Sequence, residues 1–163
     1  MVSLKLQAIK PPKMPTGEEY AKAMQAAVQK SAGLVLRDLQ STVRTWKTKV
    51  VFDVTITEQN GNYSVVAGTD SDVYKYVDEG TRAHPIKPKR SKYLRFSSGY
   101  RAKTRPQIIG SQDGGRTGDD VFSKGVNHPG TKARQFTKVI VSRRQKTVEQ
   151  EVSQAIAKVN RTK

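Results

Sequence analysis

Residues 50–69, VVFDVTITEQNGNYSVVAGT, decide the fold class of this chain. Apolar and polar residues alternate from 52 to 57, which is the period of a strand with one buried face. Asn60-Gly61 follows and predicts a two-residue hairpin turn, because a type I′ turn requires positive φ at both central positions. Residues 63–68 form the returning strand. The stretch therefore predicts an antiparallel hairpin.

Helical periodicity lies on both sides of this hairpin. Before it, apolar residues recur at spacings of three, four and seven and predict a helix over residues 16–46. Thr16-Gly17-Glu18-Glu19 is a capping box, in which the Thr16 hydroxyl accepts from the amide of Glu19. After the hairpin, a second stripe begins at Phe136 and predicts a C-terminal helix over residues 136–160. The polar run SRRQK at 142–146 interrupts that stripe and predicts a bend or two short helices near residue 143.

Shorter segments complete the expected order of elements. Residues 72–81, DVYKYVDEGT, predict a single helical turn or a strand end, with Gly80 placed to end it. Residues 93–96 and 119–126 predict short strands. Residues 1–15 contain three prolines and predict an N-terminal arm or an edge segment. The 163 residues suit one α+β domain, a small antiparallel sheet packed by a long N-terminal and a C-terminal helix.

The composition is strongly basic. Lys and Arg number 30 against 14 Asp and Glu, a net charge of +16, which is typical of chains that meet a polyanion or an acidic partner. There is no cysteine, which excludes a disulfide framework and a thiolate metal site. The N-terminus lacks a signal-peptide apolar run, and no segment approaches the ~20 apolar residues of a membrane span. We expect a soluble protein made in a reducing cytoplasm, with no membrane partner.

The positive charge is concentrated in the middle of the chain. Between Gly80 and Gln112 there are nine Lys and Arg residues and no acidic residue. Residues 97–119 add five glycines and little periodicity, and predict a long, flexible, basic, Gly-rich loop. Such a tract can neutralise phosphates without reading bases, and a solvated positive face is the alternative. The candidate contacts with DNA or a partner protein are Lys87, Lys89, Arg90, Lys92, Arg101, Lys103 and Arg105.

The only two histidines, His84 and His128, each precede a proline. Pro129-Gly130 suits the centre of a type II turn, because glycine accepts the positive φ required there. In this interpretation Gly80, His128, Pro129 and Gly130 are structural, and His128 hydrogen-bonds a neighbour across the sheet. Neither histidine has a second metal ligand at close spacing, and no nucleophile motif or phosphate-binding loop is present. We therefore expect no enzymatic activity, metal or cofactor. Among enzymes, a metal-dependent nuclease is the class least at odds with these residues.

The order of short motifs resembles one protein family. Glu79-Gly80-Thr81, His84 to Ile86, Leu94 to Phe96, and His128 to Thr131 with Phe136 follow one another within residues 74–140. This succession resembles the minor tail-component, tail-completion or neck proteins of long-tailed bacteriophages. The family often has a proline directly before that phenylalanine, where this chain has Gln135. The resemblance therefore leaves the start of the last helix open.

The resemblance implies a structural virion protein of the head-tail junction, assembled in the host cytoplasm. Such a protein would form a hexameric or dodecameric ring that joins the tail to the portal complex and surrounds the DNA path. Its partners would be other neck, portal or tail-tube proteins, and the basic loop would line the lumen or dock on an acidic neighbouring ring. Charge alone supports a different hypothesis, a stand-alone basic protein that binds nucleic acid without sequence preference.

Overall fold

The chain combines long helices with short antiparallel strands, which confirms the predicted α+β class. The computed structural model describes residues 2–7 and 17–161. In chain order, the elements of these residues are β1 (Val2–Gln7), α1 (Glu18–Val43), β2 (Asp53–Gln59), β3 (Asn62–Thr69), α2 (Asp72–Glu79), β4 (His84–Ile86), β5 (Leu94–Arg101), β6 (Gly115–Ser123), β7 (Val126–His128) and α3 (Phe136–Arg161). The predicted capping residue Thr16 lies outside the described residues.

The two long helices pack antiparallel along their length. The Tyr20 hydroxyl donates to Asn160 Oδ1 at 2.5 Å, so the start of α1 meets the end of α3. Lys30, near the middle of α1, reaches Glu151 of α3 at 2.8 Å. Between the helices lie fully buried apolar side chains such as Val28 and Val35. Their burial is the main source of stability for helices of this length.

Of the two alternatives predicted near residue 143, two short helices is wrong, because α3 continues without interruption from Phe136 to Arg161. Arg144 faces α1, and its guanidinium meets the carboxylate of Asp38 in a bidentate pair of 2.7 and 2.9 Å. Asp38 is only 8 % exposed. The carboxylate raises the pKa of Arg144. A charged residue on the apolar face is thus matched by an opposite charge on the facing helix, so the helix does not need to break.

A three-stranded antiparallel sheet, in the order β1-β3-β2, covers one side of the helix pair. The predicted hairpin is confirmed: Gln59 pairs with Asn62, and the turn residues Asn60 and Gly61 have φ of 53° and 76°. The inward face of β3 carries Val65 and Ala67, each 1 % exposed. β1 pairs with β3 on the other side and is an edge strand, one of the two alternatives for the N-terminal residues.

An aromatic cluster joins α2 to the rest of the core. Residues 72–79 form a helix rather than a strand end, and the hydroxyl of Ser71 caps it by accepting from the amide of Tyr74 at 3.3 Å. The Tyr74 ring contacts Phe52 and Phe136 with centroid distances of 5.2 and 5.9 Å, and Trp46 packs 6.2 Å away. Burial raises the pKa of Tyr74. The cluster holds α2 against the core, and α2 leads directly into β4.

The predicted long loop is wrong in its extent. Residues 97–101 and 115–119 lie in strands β5 and β6, which pair with each other from Leu94↔Ser123 to Arg101↔Gly115, and the loop is confined to 102–114. Both faces of this hairpin are largely exposed, so its residues do not alternate between apolar and polar. Gly99 lets the strands approach closely, since a Cβ there would lie 2.6 Å from Thr117 Oγ1. The sequence of β5 and β6 therefore lacks the alternation that predicts a strand.

The remaining loop is anchored to the helical body. The Lys103 ammonium donates to the carbonyl oxygen of Thr45, just beyond α1. Thr104 is 4 % exposed. The amide of Gln107 donates to the carbonyl of Arg134 at 2.9 Å. Residues 102–114 are therefore part of the fold, held against the end of α1 and the segment before α3.

Candidate functional site

Two of the sequence motifs, Glu79-Gly80-Thr81 and His128 to Thr131, meet in space at one joint, which we define as residues 78–84 and 128–136. Thr81 and Thr131 form an isolated antiparallel bridge, with N···O distances of 2.9 and 3.1 Å. A Cβ on Gly80 would lie 2.6 Å from the Thr131 oxygen, and a Cβ on Gly130 would collide with the Thr81 oxygen. Gly130 also has φ of 91°, as the predicted Pro-Gly turn requires. Glycine is needed on both sides for the two segments to touch.

The two histidines, separated by 44 positions in sequence, are cross-strand neighbours in this joint. His84 pairs with His128 in the β4–β7 ladder, and their ring centroids lie 5.2 Å apart. The expected hydrogen bond of His128 across the sheet is wrong, because its Nδ1 accepts from the amide of Gly130, 3.0 Å away in its own turn. Sequence reasoning missed this pairing, although both residues precede proline and flank the bridged threonines.

The hydrogen bonds of the two rings indicate whether each Nδ1 atom donates or accepts. A carbonyl can only accept, so His84 Nδ1, 2.8 Å from the Arg82 oxygen, carries its proton. His128 Nδ1 accepts and its proton is on Nε2. A metal ion held by both Nε2 atoms would require the His128 proton to move to Nδ1, where it would face the Gly130 N–H. Each ring is thus held by a hydrogen bond to a backbone atom two residues away in its own segment.

The end of the joint sets where α3 begins. The carboxylate of Asp78 accepts from the amide of Thr137 at 3.2 Å, and its backbone carbonyl accepts from the amide of Gln135 at 3.0 Å. Gln135 has φ of 57°, a value that proline cannot adopt. Phe136, the first residue of α3, is fully buried. A proline at position 135 is therefore incompatible with this backbone conformation.

The structure separates the seven candidate cations into two groups. β4 runs away from the joint to Ile86, and β5 runs back from Leu94 toward loop 102–114. Lys87, Lys89, Arg90 and Lys92 lie on the turn between these strands and are exposed. Arg101, Lys103 and Arg105 lie at the opposite end of the hairpin, and Lys103 is bound to the Thr45 carbonyl. The basic tract of the sequence is therefore not one surface.

Strands β4 to β7 form a lobe, and its tip carries one cation that sequence reasoning did not include. The turn between β6 and β7 contains Lys124 and Gly125, and a Cβ on Gly125 would lie 3.8 Å from Lys87 Cγ. The two turns are thus adjacent because β4 pairs with β7. We call the five exposed side chains on these turns the basic tip: Lys87, Lys89, Arg90, Lys92 and Lys124.

The positive charges of the basic tip are unmatched by nearby acids. No tip side chain forms an ion pair with any residue that the structure describes. The nearest acidic strand residue, Asp120, is engaged by Arg95 at 2.5 Å, and hydrogen bonding to Arg95 lowers the pKa of Asp120. Lys92 lies 5.7 Å over the Tyr93 ring. The exposed rings of Tyr93 and Phe122 flank the tip.

Across residues 2–7 and 17–161, no three His, Asp or Glu side chains come together as a possible metal site. Neither do these ranges contain a helix with the length and apolar character needed to cross a bilayer. In comparisons with known proteins, no family model matches the chain, and no curated protein or solved structure matches it significantly.

Proposed function

We propose that the chain is a non-catalytic structural protein of the head-tail junction of a long-tailed bacteriophage. In this role it is a neck or tail-completion component of the virion that assembles into a ring, joins the tail to the portal complex and surrounds the DNA path. The observation that supports the proposal is the joint, where the motif at Glu79-Gly80-Thr81 is bridged to the motif at His128 to Thr131, and Phe136 follows as the first residue of α3.

The chemistry of the joint supports a structural role. Gly80 and Gly130 permit close backbone contact, Asp78 caps α3, and both histidines are held by local hydrogen bonds. These residues specify how the strand lobe attaches to the helical body. The motif residues thus maintain the shape of the subunit, and a subunit of an assembly requires a defined shape.

Two free sheet edges support assembly into a ring. Within the residues that the structure describes, β1 and β2 form opposite edges of the three-stranded sheet, and each pairs only with β3. β2, DVTITEQ, carries neither lysine nor proline, the residues that usually protect an exposed edge. A closed ring needs two different surfaces on each subunit, and two unlike edges are a candidate pair.

The proposal is tested by removing the protein from the phage that encodes it. A premature stop at codon 18 should give DNA-filled heads and separate tails in electron micrographs, and a plasmid copy of the gene should restore joined particles. A synonymous change at the same codon is the matched control. Joined, infectious particles from the stop mutant would contradict the junction role and favour the stand-alone nucleic-acid-binding protein.

The nuclease hypothesis has its own test on purified protein. Junction function predicts no cleavage of plasmid DNA with Mg²⁺, Mn²⁺ or Zn²⁺. Metal-dependent cleavage that disappears in His128→Ala, but persists in the charge-neutral control Asn127→Ala on the same strand, would overturn the non-catalytic assignment.

A further inference from the structure

We infer that the basic tip is a contact site for the phosphate backbone of duplex DNA, bound without sequence preference. This inference deepens the proposed function and rests on it for the source of the duplex, the genome in the junction. It assigns the DNA contact to five residues on two turns, one of which, Lys124, lies outside the basic tract of the sequence.

The first support is the density of unmatched positive charge. Four cations fall within residues 87–92, and strand pairing brings the turn that contains Lys124 and Gly125 beside Lys87. None has an ion-pair partner among the described side chains, and Asp120 is already engaged by Arg95. Like charges held together without counter-charges repel one another, so an anionic ligand relieves this repulsion while releasing the counterions of the phosphates.

The second support is the kind of cation. Four of the five tip residues are lysines, and lysine is depleted from protein interfaces, where arginine and aromatic residues are favoured. A lysine ammonium acts on a phosphate as a point charge and needs no fixed geometry. This composition favours a nucleic-acid backbone over an acidic protein surface.

The third support is the shape of the tip. Two short turns carry the cations, and neither a helix nor a long strand projects beyond them. Base edges in the major groove are read by elements that enter the groove, whereas short turns reach the outer phosphates. The contact is therefore expected to be insensitive to sequence.

Other cations of the basic tract are excluded from this site by their contacts or position. Lys103 donates to the Thr45 carbonyl and holds loop 102–114 in place. Arg101 and Arg105 lie at that same end of the hairpin, with the full length of β5 between them and the tip. The sequence had placed all of them in one candidate set.

The experiment compares two variants with equal net charge. The tip variant changes Lys87, Lys89, Arg90, Lys92 and Lys124 to Gln. The control variant changes five exposed cations away from the tip, two after α1 and three on α3, to Gln: Lys47, Lys49, Lys138, Arg143 and Lys146. Binding to a labelled mixed-sequence duplex of about 30 base pairs is measured by fluorescence anisotropy over a salt series. Thermal melting should show both variants folded, because none of these side chains makes a hydrogen bond or ion pair with a residue that the structure describes.

The tip variant should lose at least about tenfold in affinity at 0.1 M salt. Its slope of log affinity against log salt should flatten by up to about 4.5, at about 0.9 for each of five lost phosphate contacts. The control variant should keep most of the wild-type slope. Equal losses in both variants would show an effect of net charge alone and overturn the inference, as would wild-type binding by the tip variant.

Two competing probes address other partners. Poly-glutamate that binds the tip as tightly as the duplex does would overturn the assignment in favour of an acidic protein partner. Tighter binding of single-stranded DNA, lost in Tyr93→Ala and Phe122→Ala, would replace the duplex with stacked single strands. These measurements use the purified chain, so their failure is distinguishable from failure of the junction role, which is read from particles of the stop mutant.

Discussion

The alanine substitution Gly130→Ala tests the joint directly. A Cβ at this position would collide with the carbonyl oxygen of Thr81 and lie 2.9 and 3.1 Å from the Arg82 carbonyl carbon and the Ala83 nitrogen. All three are backbone atoms of the opposite segment, so they cannot move aside by a change of rotamer. The residue also has φ of 91°, where a non-glycine residue is strained.

The positive φ and the collision together set the expected loss in the free energy of unfolding. Positive φ costs an alanine about 1–2 kcal/mol relative to glycine. Forcing extra volume against packed neighbours costs about 1–3 kcal/mol. The free energy of unfolding of Gly130→Ala should therefore fall by about 2–5 kcal/mol. Urea unfolding followed by Trp46 fluorescence measures this loss, because Trp46 packs beside Tyr74 and Phe136 in the core.

Gly33→Ala is the matched control, since it makes the same chemical change in the middle of α1. No atom lies within 4 Å of a Cβ placed there. Alanine stabilises a helix interior by about 0.5–1 kcal/mol relative to glycine, so this variant should unfold at higher urea. A loss below about 0.5 kcal/mol in Gly130→Ala, alongside the expected gain in Gly33→Ala, would refute the geometry derived for the joint.

Three further predictions concern the turn before α3, the buried ion pair and the anchored loop. Gln135→Gly should raise the free energy of unfolding by about 0.5–1 kcal/mol because it relieves positive φ, whereas Gln135→Pro should lower it by about 3 kcal/mol; urea unfolding measures both, and a neutral proline variant would contradict the observed φ. Arg144→Met should cost about 3 kcal/mol because it leaves the buried carboxylate of Asp38 alone, and adding Asp38→Leu should recover much of this loss in a double-mutant cycle; additive losses would argue against the pair. Lys103→Met should cost about 1.5 kcal/mol and speed amide hydrogen exchange across residues 102–114, because it removes the bond to the Thr45 carbonyl; unchanged exchange would show that other contacts hold the loop.

The sequence determined the elements whose signals are local. The hairpin at 53–69 follows from alternation and from Asn60-Gly61, since only a turn with positive φ at both positions joins such strands tightly. The long helices follow from apolar stripes of helical period, and the turn at Gly130 from Pro-Gly. In each case the residues that specify the structure are within a few positions of one another.

The tertiary structure alone decided the features whose partners are distant in sequence. α3 stays continuous because Arg144 meets Asp38, 106 positions away. The tract 97–119 forms strands because its backbone pairs across the hairpin, although its exposed side chains carry no alternation. Pairing of β4 with β7 places the two histidines side by side and brings Lys124 to the basic tip. Lys103 does not belong to the tip, because its ammonium donates to the carbonyl of Thr45. A sequence shows how many charges a segment carries. Which cations share a surface without acidic neighbours depends on how the strands pair, and that surface is what a phosphate backbone would meet.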